Sequence, residues 1–276
     1  MPPHASDWKS RLRPHVPLVV RRAKRALFGW RWFRGRYPTW AAASPHAVGY
    51  DGPGILDKVL QATLEVKAGR AAYERDSVLF HEPAIEADLL ACLEQVAAER
   101  GGRLRVLDFG GSLGTTYWQH RGALGRQAEL RWDVVEQPHF VEAGRQHLQD
   151  GTLRFFATIE EAARDGGHDM LLASGVLHCL PDPHTWLDRW ARTGPPVLLF
   201  HNLPLHDDGP DHVRIEHVPP EIYPASYPVW FFNRAGFLGH FADHYDVARS
   251  YASTAVWPIG WRDYPSTGLM LRRRAP

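Results

Sequence analysis

From about residue 100 onward the sequence predicts an α/β protein with a mostly parallel, doubly wound sheet. Three observations carry this. Short apolar runs alternate with helical stretches. The run Leu104–Phe109 leads straight into a glycine loop, Gly110-Gly111-Ser112-Leu113-Gly114. An acid, Glu136, closes the next strand. Strands separated by helices form βαβ units and a parallel sheet. Right-handed crossovers then bring the loops that follow the strands to one edge, where ligands bind.

Residues 1–50 read as a basic, aromatic arm, with Trp30, Trp32, Phe33 and Trp40 among arginines. Residues 51–100 read as a helical cap. Its first helix spans 53–75, with Ile55, Val59, Leu60, Leu64 and Val66 at helical spacing. Its second spans 83–99, with Pro83 in the first turn, Ile85, Leu89, Leu90, Leu93 and Val96 on one face, and Gly101–Gly102 as the stop.

The main domain is assigned to 101–276. After Leu104–Phe109 come a helix at Thr115–Leu124, a strand at Arg131–Val135 and a helix at Phe140–Leu148. A strand at Leu153–Phe156, a short helix at Ile159–Arg164 and a strand at Met170–Ser174 follow. A helix through Thr185–Ala191 then leads to a fifth strand at Val197–Phe200. The stretch 204–230, rich in Pro, Asp and His, breaks the alternation as an insertion. Phe231–His240 reads as a helix, and Tyr245–Ser253 with Thr267–Arg272 as a closing pair that brings the sheet to seven strands.

With 276 residues and 44% hydrophobic content the chain has enough apolar material for a sizeable core. Two cysteines, Cys92 and Cys179, make no disulfide framework, so a reducing compartment is expected. No signal peptide and no run of roughly 18 apolar residues is found, so the expectation is a cytoplasmic protein. Net charge is +1, yet residues 1–40 hold ten Lys/Arg against Asp7 alone. Residues 9–40 therefore suit a peripheral contact with an anionic membrane surface, and equally a solvated arm. Nucleic acid is disfavoured, since no recognised binding motif accompanies the arm.

The glycine loop does not fit a dinucleotide fingerprint, because Ser112 stands where a second glycine is needed. Asp108 at the strand end suits a cationic ligand better than a pyrophosphate. Glu136 at the end of the next strand suits a pair of ribose hydroxyls. A sulfonium cofactor carrying an α-amino group and a ribose meets both conditions.

A third motif joins these. Asp169-Met170-Leu171-Leu172-Ala173-Ser174-Gly175-Val176-Leu177-His178-Cys179-Leu180-Pro181-Asp182-Pro183 resembles the fourth-strand signature of class I S-adenosylmethionine-dependent methyltransferases, departing from it at Gly175 and Cys179. The three motifs together resemble that family over about residues 100–202. The resemblance implies a Rossmann-like fold and S-adenosyl-L-methionine as cofactor. It implies that Asp108 orients the methionine part, that Gly110, Gly111 and Gly114 line its passage, and that Glu136 binds the ribose. Gln137, Thr158 and Ile159 would lie near the adenine, and Ser174 at the end of the fourth strand joins the cofactor set.

Four further segments are similar to a bacterial family of methyltransferases associated with surface-polysaccharide biosynthesis. They are Phe33–Trp40, Tyr73–Ser77, Val135–Phe140 and Val218–Pro228. That resemblance implies a small-molecule or glycan acceptor. A non-catalytic cofactor-binding or scaffold protein that keeps the fold is the alternative left open.

An oxygen or nitrogen acceptor that needs a general base favours histidine. His178 and His201, after the fourth and fifth strands, are the candidates, with Asn202 beside them for an acceptor hydroxyl. Tyr223, Tyr227 and Trp230 form either an acceptor wall or a rigid apolar cap. Tyr73, ahead of the domain, is placed with these substrate-side residues. No metal is expected: His201, His206, His212 and His217 form no tight ligand set.

Overall fold

The computed structural model describes residues 32–48, 54–125, 129–218, 225–259 and 262–275. Most of the basic arm therefore lies outside the described residues. A strand β1 (Phe33–Tyr37) and a short helix α1 (Trp40–Ala43) come first. Helix α2 (Ile55–Lys67) precedes a hairpin of β2 (Tyr73–Arg75) and β3 (Val78–Phe80), and helix α3 (Ala87–Glu99) follows. The alternation then runs β4 (Arg103–Phe109), α4 (Thr115–Leu124), β5 (Glu129–Val135), α5 (Pro138–His147), β6 (Leu153–Phe156), α6 (Ile159–Ala162), β7 (Met170–Ser174), α7 (Pro183–Thr193) and β8 (Val197–Leu203). The chain closes with β9 (Leu205–His206), β10 (His212–His217), β11 (Ser226–Asn233), α8 (Arg234–Gly239), β12 (Tyr245–Ile259) and β13 (Arg262–Arg273).

The main sheet has seven strands in the order β12-β13-β8-β7-β4-β5-β6. The five strands from β8 to β6 are parallel, while β13 pairs antiparallel with β8 and with β12. Order reverses between β4 and β7, which opens a crevice at the carboxyl ends of those two strands. The central strands read as continuous apolar runs because helices cover both faces: Leu104, Val106, Met170, Leu172, Leu198 and Leu199 are fully buried.

The expected helix at 53–75 stops at Lys67. Ala68 caps it, Gly69 turns left-handed at φ 74°, and the chain becomes the hairpin that carries Tyr73. The cap is therefore two helices with a hairpin between them. The second helix begins at Ala87, not at Pro83, leaving Ile85 54% exposed outside it. The expected helix at Phe231–His240 is strand up to Asn233. Its aromatic run pairs with β10, and the Asn233 side chain accepts the Gly236 N–H to start α8 only there.

The insertion is not irregular. With residues from the arm it builds a second sheet of four strands, β1-β10-β11-β9. Phe33 pairs opposite Glu216, and Glu216 opposite Tyr227. This sheet meets the main sheet through the turn Leu177–Cys179, which packs on β11. Among the described residues no helix is long and apolar enough to cross a membrane.

Candidate functional site

A cleft of about 1210 Å³ opens over the carboxyl ends of the parallel strands. One half of its wall is the glycine loop, the ends of β5 and β6 and the start of α6. The other is built by the β2–β3 hairpin, the ends of β7 and β8, and residues of β10, β11 and β12.

The glycine loop is shaped by what lies beneath it. Gly110 is left-handed at φ 69°, and a Cβ there would be closer than 3.0 Å to the Val176 side chain. Gly111 sits over Asp108: a Cβ on it would likewise come closer than 3.0 Å to the carboxylate. Ser112 is left-handed at φ 54° without being glycine. Its N–H donates to Glu136 Oε1 at 3.2 Å, while Gln137 N–H donates to Oε2 at 2.7 Å. Glu136 thus ties the end of β5 to the loop after β4 and still faces the cleft. Burial raises its pKa against those two hydrogen bonds.

Of the cofactor-side residues expected from sequence, Gly110, Gly111, Glu136, Gln137, Thr158, Ile159 and Ser174 line this cleft together. Thr158 also caps α6, accepting the Glu161 N–H at 3.1 Å. Two residues fall elsewhere. Asp108 is fully buried beneath Gly111, where Trp132 Nε1 donates to its Oδ2 at 2.8 Å and Oδ1 has no partner. Burial pushes its carboxyl up to about 7, so it shapes the loop from below and does not line the cleft. Gly114 starts α4 with φ 86° and packs against Leu153, also away from the cleft.

On the acceptor side, His178, His201, Asn202 and Tyr227 line the cleft. Trp230 does not. It is 8% exposed in the core, donating Nε1–H to the Leu180 carbonyl at 3.1 Å. Strand alternation decides this: Val229 and Phe231 pack with Phe33 and Trp257, so Trp230 and Phe232 face the opposite, core side. Tyr73 is also buried, stacked on Phe80 with ring centroids 4.6 Å apart, and is outside the lining. Tyr223 lies outside the described residues.

The two histidines are not poised as bases near neutral pH. Burial lowers His178 to about 3 and His201 to about 4, so both rings are neutral at neutral pH, each with one N–H donor and one acceptor nitrogen. His201 Nδ1 lies 3.1 Å from the Tyr251 hydroxyl. Nε2 of His201, Nδ1 of His178 and Nε1 of Trp257 are buried without a partner on the cleft wall.

The sequence reading missed the acids of the acceptor half. Glu74 accepts Thr115 Oγ1 at 2.5 Å and Ser77 N–H at 3.2 Å. Glu86 accepts Thr254 Oγ1 at 2.5 Å and Arg75 Nη2 at 3.1 Å. Burial opposes the Glu86 charge, but those two donors overcome it and hold its pKa below the ordinary value. Glu216 is raised to about 7 by burial, against a hydrogen bond from Tyr227, and Asp76 adds repulsion. Asp76 opens to the cleft's solvent with protein on its other sides, which raises its carboxyl too.

Backbone strain gathers at the same place. The non-glycine residues with left-handed backbone among those described are Asp76, Ser77, Ser112 and Asn202, and all but Ser77 line the cleft. Such conformations cost of order 1–3 kcal/mol each and persist where surrounding structure fixes them. Among the described residues no group of three or more His, Cys, Asp or Glu could hold a metal ion.

No family model matches the chain, and no curated protein matches it. Solved structures of similar shape include the N-terminal domain of EvdMO1 in the presence of SAH and D-fucose, 16% identical, covering 81% of this chain and 100% of that one at a TM-score of 0.47. Magnesium protoporphyrin IX methyltransferase (ChlM) from Synechocystis PCC 6803 with bound SAM is 13% identical, covering 82% of this chain and 99% of that one at 0.45. The [4+2]-cyclase SpnF is 13% identical, covering 87% and 98% at 0.49. At these identities and scores the likeness adds nothing to what the sheet order and the cleft show by themselves.

Proposed function

We propose that this protein is an S-adenosylmethionine-dependent methyltransferase acting on a small-molecule or glycan acceptor. The observation that carries the reading is Glu136. Its carboxylate lines the cleft at the end of β5, held by the Ser112 and Gln137 N–H groups, beside a loop that only glycine fits at 110 and 111. A carboxylate there accepts the hydrogen bonds of a ribose diol, and the glycines let the protein backbone approach the ligand closely.

The residues fit the cofactor. Glu136 would hold the ribose, and Thr158, Ile159 and Gln137 would flank the adenine. Gly110 and Gly111 would let the chain of the ligand pass. The carboxylates on the cleft wall suit its ammonium and sulfonium charges. When bound, S-adenosylmethionine supplies an electrophilic methyl group. The protein supplies orientation, exclusion of water and a negative field, and positioning accounts for much of the rate in such displacements. The resemblance to surface-polysaccharide methyltransferases supports a glycan acceptor, and the basic residues of 9–40 support a site of action close to an anionic membrane surface.

The test is label transfer. Protein is incubated with methyl-labelled S-adenosylmethionine and extract from its own cell, and label is followed into small molecules and glycans. Transfer that disappears with Glu136→Ala supports the reading. A folded protein that binds the cofactor but moves no label into any fraction favours the scaffold alternative.

A further inference from the structure

We propose that His184 and His240 share one proton, and that this proton clamps the sheet carrying Glu216 and Tyr227 to helix α7, making the acceptor-side wall of the cleft pH-sensitive. Only the word acceptor rests on the methyltransferase reading; the clamp is defined by its own residues.

Four side chains form an unbroken chain behind the cleft wall. Asp211 Oδ2 lies 3.2 Å from His184 Nε2. His184 Nδ1 lies 3.1 Å from His240 Nε2, and His240 Nδ1 lies 2.6 Å from Asp188 Oδ1. His184 and Asp188 are one turn apart on α7. Asp211 stands just before β10 and also accepts the N–H of Asn233, the cap of α8, at 2.5 Å. His240 closes α8. The chain therefore ties α7 to the leading end of β10 and to α8. Helix α7 gives Trp186 and Arg189 to the cleft wall, while β10 and β11 give it Glu216 and Tyr227. The His184 ring also meets Trp230 and Phe232 of β11 edge-on, at 5.7 and 6.2 Å.

The number of protons sets the charge. A carboxylate oxygen only accepts, so His184 Nε2 and His240 Nδ1 must each carry a hydrogen. Two neutral rings have no further hydrogen, and their remaining nitrogens would face each other lone pair to lone pair at 3.1 Å. A third proton turns that contact into an N–H···N hydrogen bond and completes all three links. The pair is then a single imidazolium held between two carboxylates. A fourth proton would set two N–H groups against each other, so the geometry holds three.

The charges around the pair favour this state. The hydrogen bond to Asp211 raises His184 most, burial opposes it, and Asp211, Asp182 and Asp188 add their charge. Burial opposes the Asp211 charge in turn, but His184, the Asn233 N–H and His206 of β9 hold its carboxyl below the ordinary range. Arg234 of α8 is taken up by Asp207. With His184 raised above the ordinary 6.5, the clamp is in place near that pH and is released as pH rises through the raised value.

The test is ring nitrogen–proton NMR of the full-length protein, labelled with heavy nitrogen in histidine and kept in chelator, from about pH 6 to about pH 9. Proton contacts with Trp230 assign His184, and contacts between the two rings assign His240. The rings are expected to hold three protons between them at the low end and two at the high end, moving together through one midpoint above 6.5. Asp211→Asn is expected to weaken proton binding roughly tenfold, lowering that midpoint by about one pH unit. Amide exchange then reads the clamp itself. Protection of β10 amides, measured against β4 amides of the same protein, should fall by roughly tenfold across the midpoint. Folded His240→Gln should show low β10 protection throughout and no step. Rings that titrate independently, a pair with no shared proton at the low end, a midpoint indifferent to Asp211→Asn, or an exchange step that persists in His240→Gln would each overturn the clamp. The wild-type and Asp211→Asn titrations decide the shared proton even if His240→Gln fails to fold. No cofactor enters, so failure here leaves the methyltransferase reading to its own label-transfer test.

Discussion

The Glu136 carboxylate accepts the backbone N–H of Ser112 at 3.2 Å, joining the end of one parallel strand to the glycine loop of its neighbour. Ser112 holds a left-handed backbone at that point, so the hydrogen bond helps fix a strained loop as well as a charged wall. Glu136→Ala removes both the acceptor for the ligand and the tie to the loop. Affinity for S-adenosylhomocysteine is expected to fall by about 10- to 100-fold, as losing a hydrogen bond to a charged group costs roughly 1.5–3 kcal/mol. Titration of the folded variant checks this. An unchanged affinity would remove Glu136 from the site.

Gly111→Ala tests the loop from below. The new methyl would press on the Asp108 carboxylate, which Trp132 and the buried surroundings hold in place. Overpacking of this kind costs about 1–3 kcal/mol. Urea unfolding should show a lower midpoint with the same slope. Gly151→Ala, where a Cβ meets nothing within 4 Å, is the control and should stay within about 0.5 kcal/mol of the parent.

Much of this arrangement was legible in the sequence because its signals are local. The alternation of strands and helices, the glycines after β4 and the acid after β5 each announce themselves within a few residues. On the acceptor side His178, His201, Asn202 and Tyr227 were legible and line the cleft, but the acids of that half were not, because long-range pairing brings them there. Glu216 reaches the cleft only through the β1-β10-β11 sheet, in which Phe33 from the arm lies opposite it. Asp76 reaches it through a hairpin whose first strand, Tyr73–Arg75, lies at the end of the stretch 53–75 that reads as a helix. Asp108 stands next to the last residue of its strand in sequence and structure alike, but the indole of Trp132 that helps bury it comes from the neighbouring strand. Tyr227 and Trp230 were grouped by proximity, whereas strand parity sends them to opposite faces.

That burial gives Asp108 a pH signature. Its folded pKa of about 7 stands above the ordinary 3.8, so the folded state holds the proton more tightly than the unfolded chain. The stability this contributes is fully present below about pH 4 and is lost as pH rises through about 7. The loss amounts to at most roughly 4 kcal/mol. Glu216, also raised to about 7, adds a second loss in the same window. Urea unfolding from about pH 5 to about pH 8 should show wild-type stability declining, and Asp108→Asn should flatten part of that decline. A variant that declines just as steeply would contradict a buried, neutral Asp108.

Trp230→Phe separates core from acceptor wall. The smaller ring loses the hydrogen bond to the Leu180 carbonyl and some packing among Phe232 and the neighbouring core. A destabilisation of about 1–3 kcal/mol is expected, with cofactor affinity unchanged. A stable variant with altered ligand binding would return Trp230 to the cleft wall.

Calorimetric titration of the folded protein with S-adenosylhomocysteine, with NAD and a nucleotide sugar as competitors for the same cleft, tests the central claim most directly. Saturable one-site binding of S-adenosylhomocysteine alone, abolished or strongly weakened by Glu136→Ala, is the predicted result. Tighter binding of NAD or of the nucleotide sugar, or no binding of S-adenosylhomocysteine to the folded protein, would contradict it.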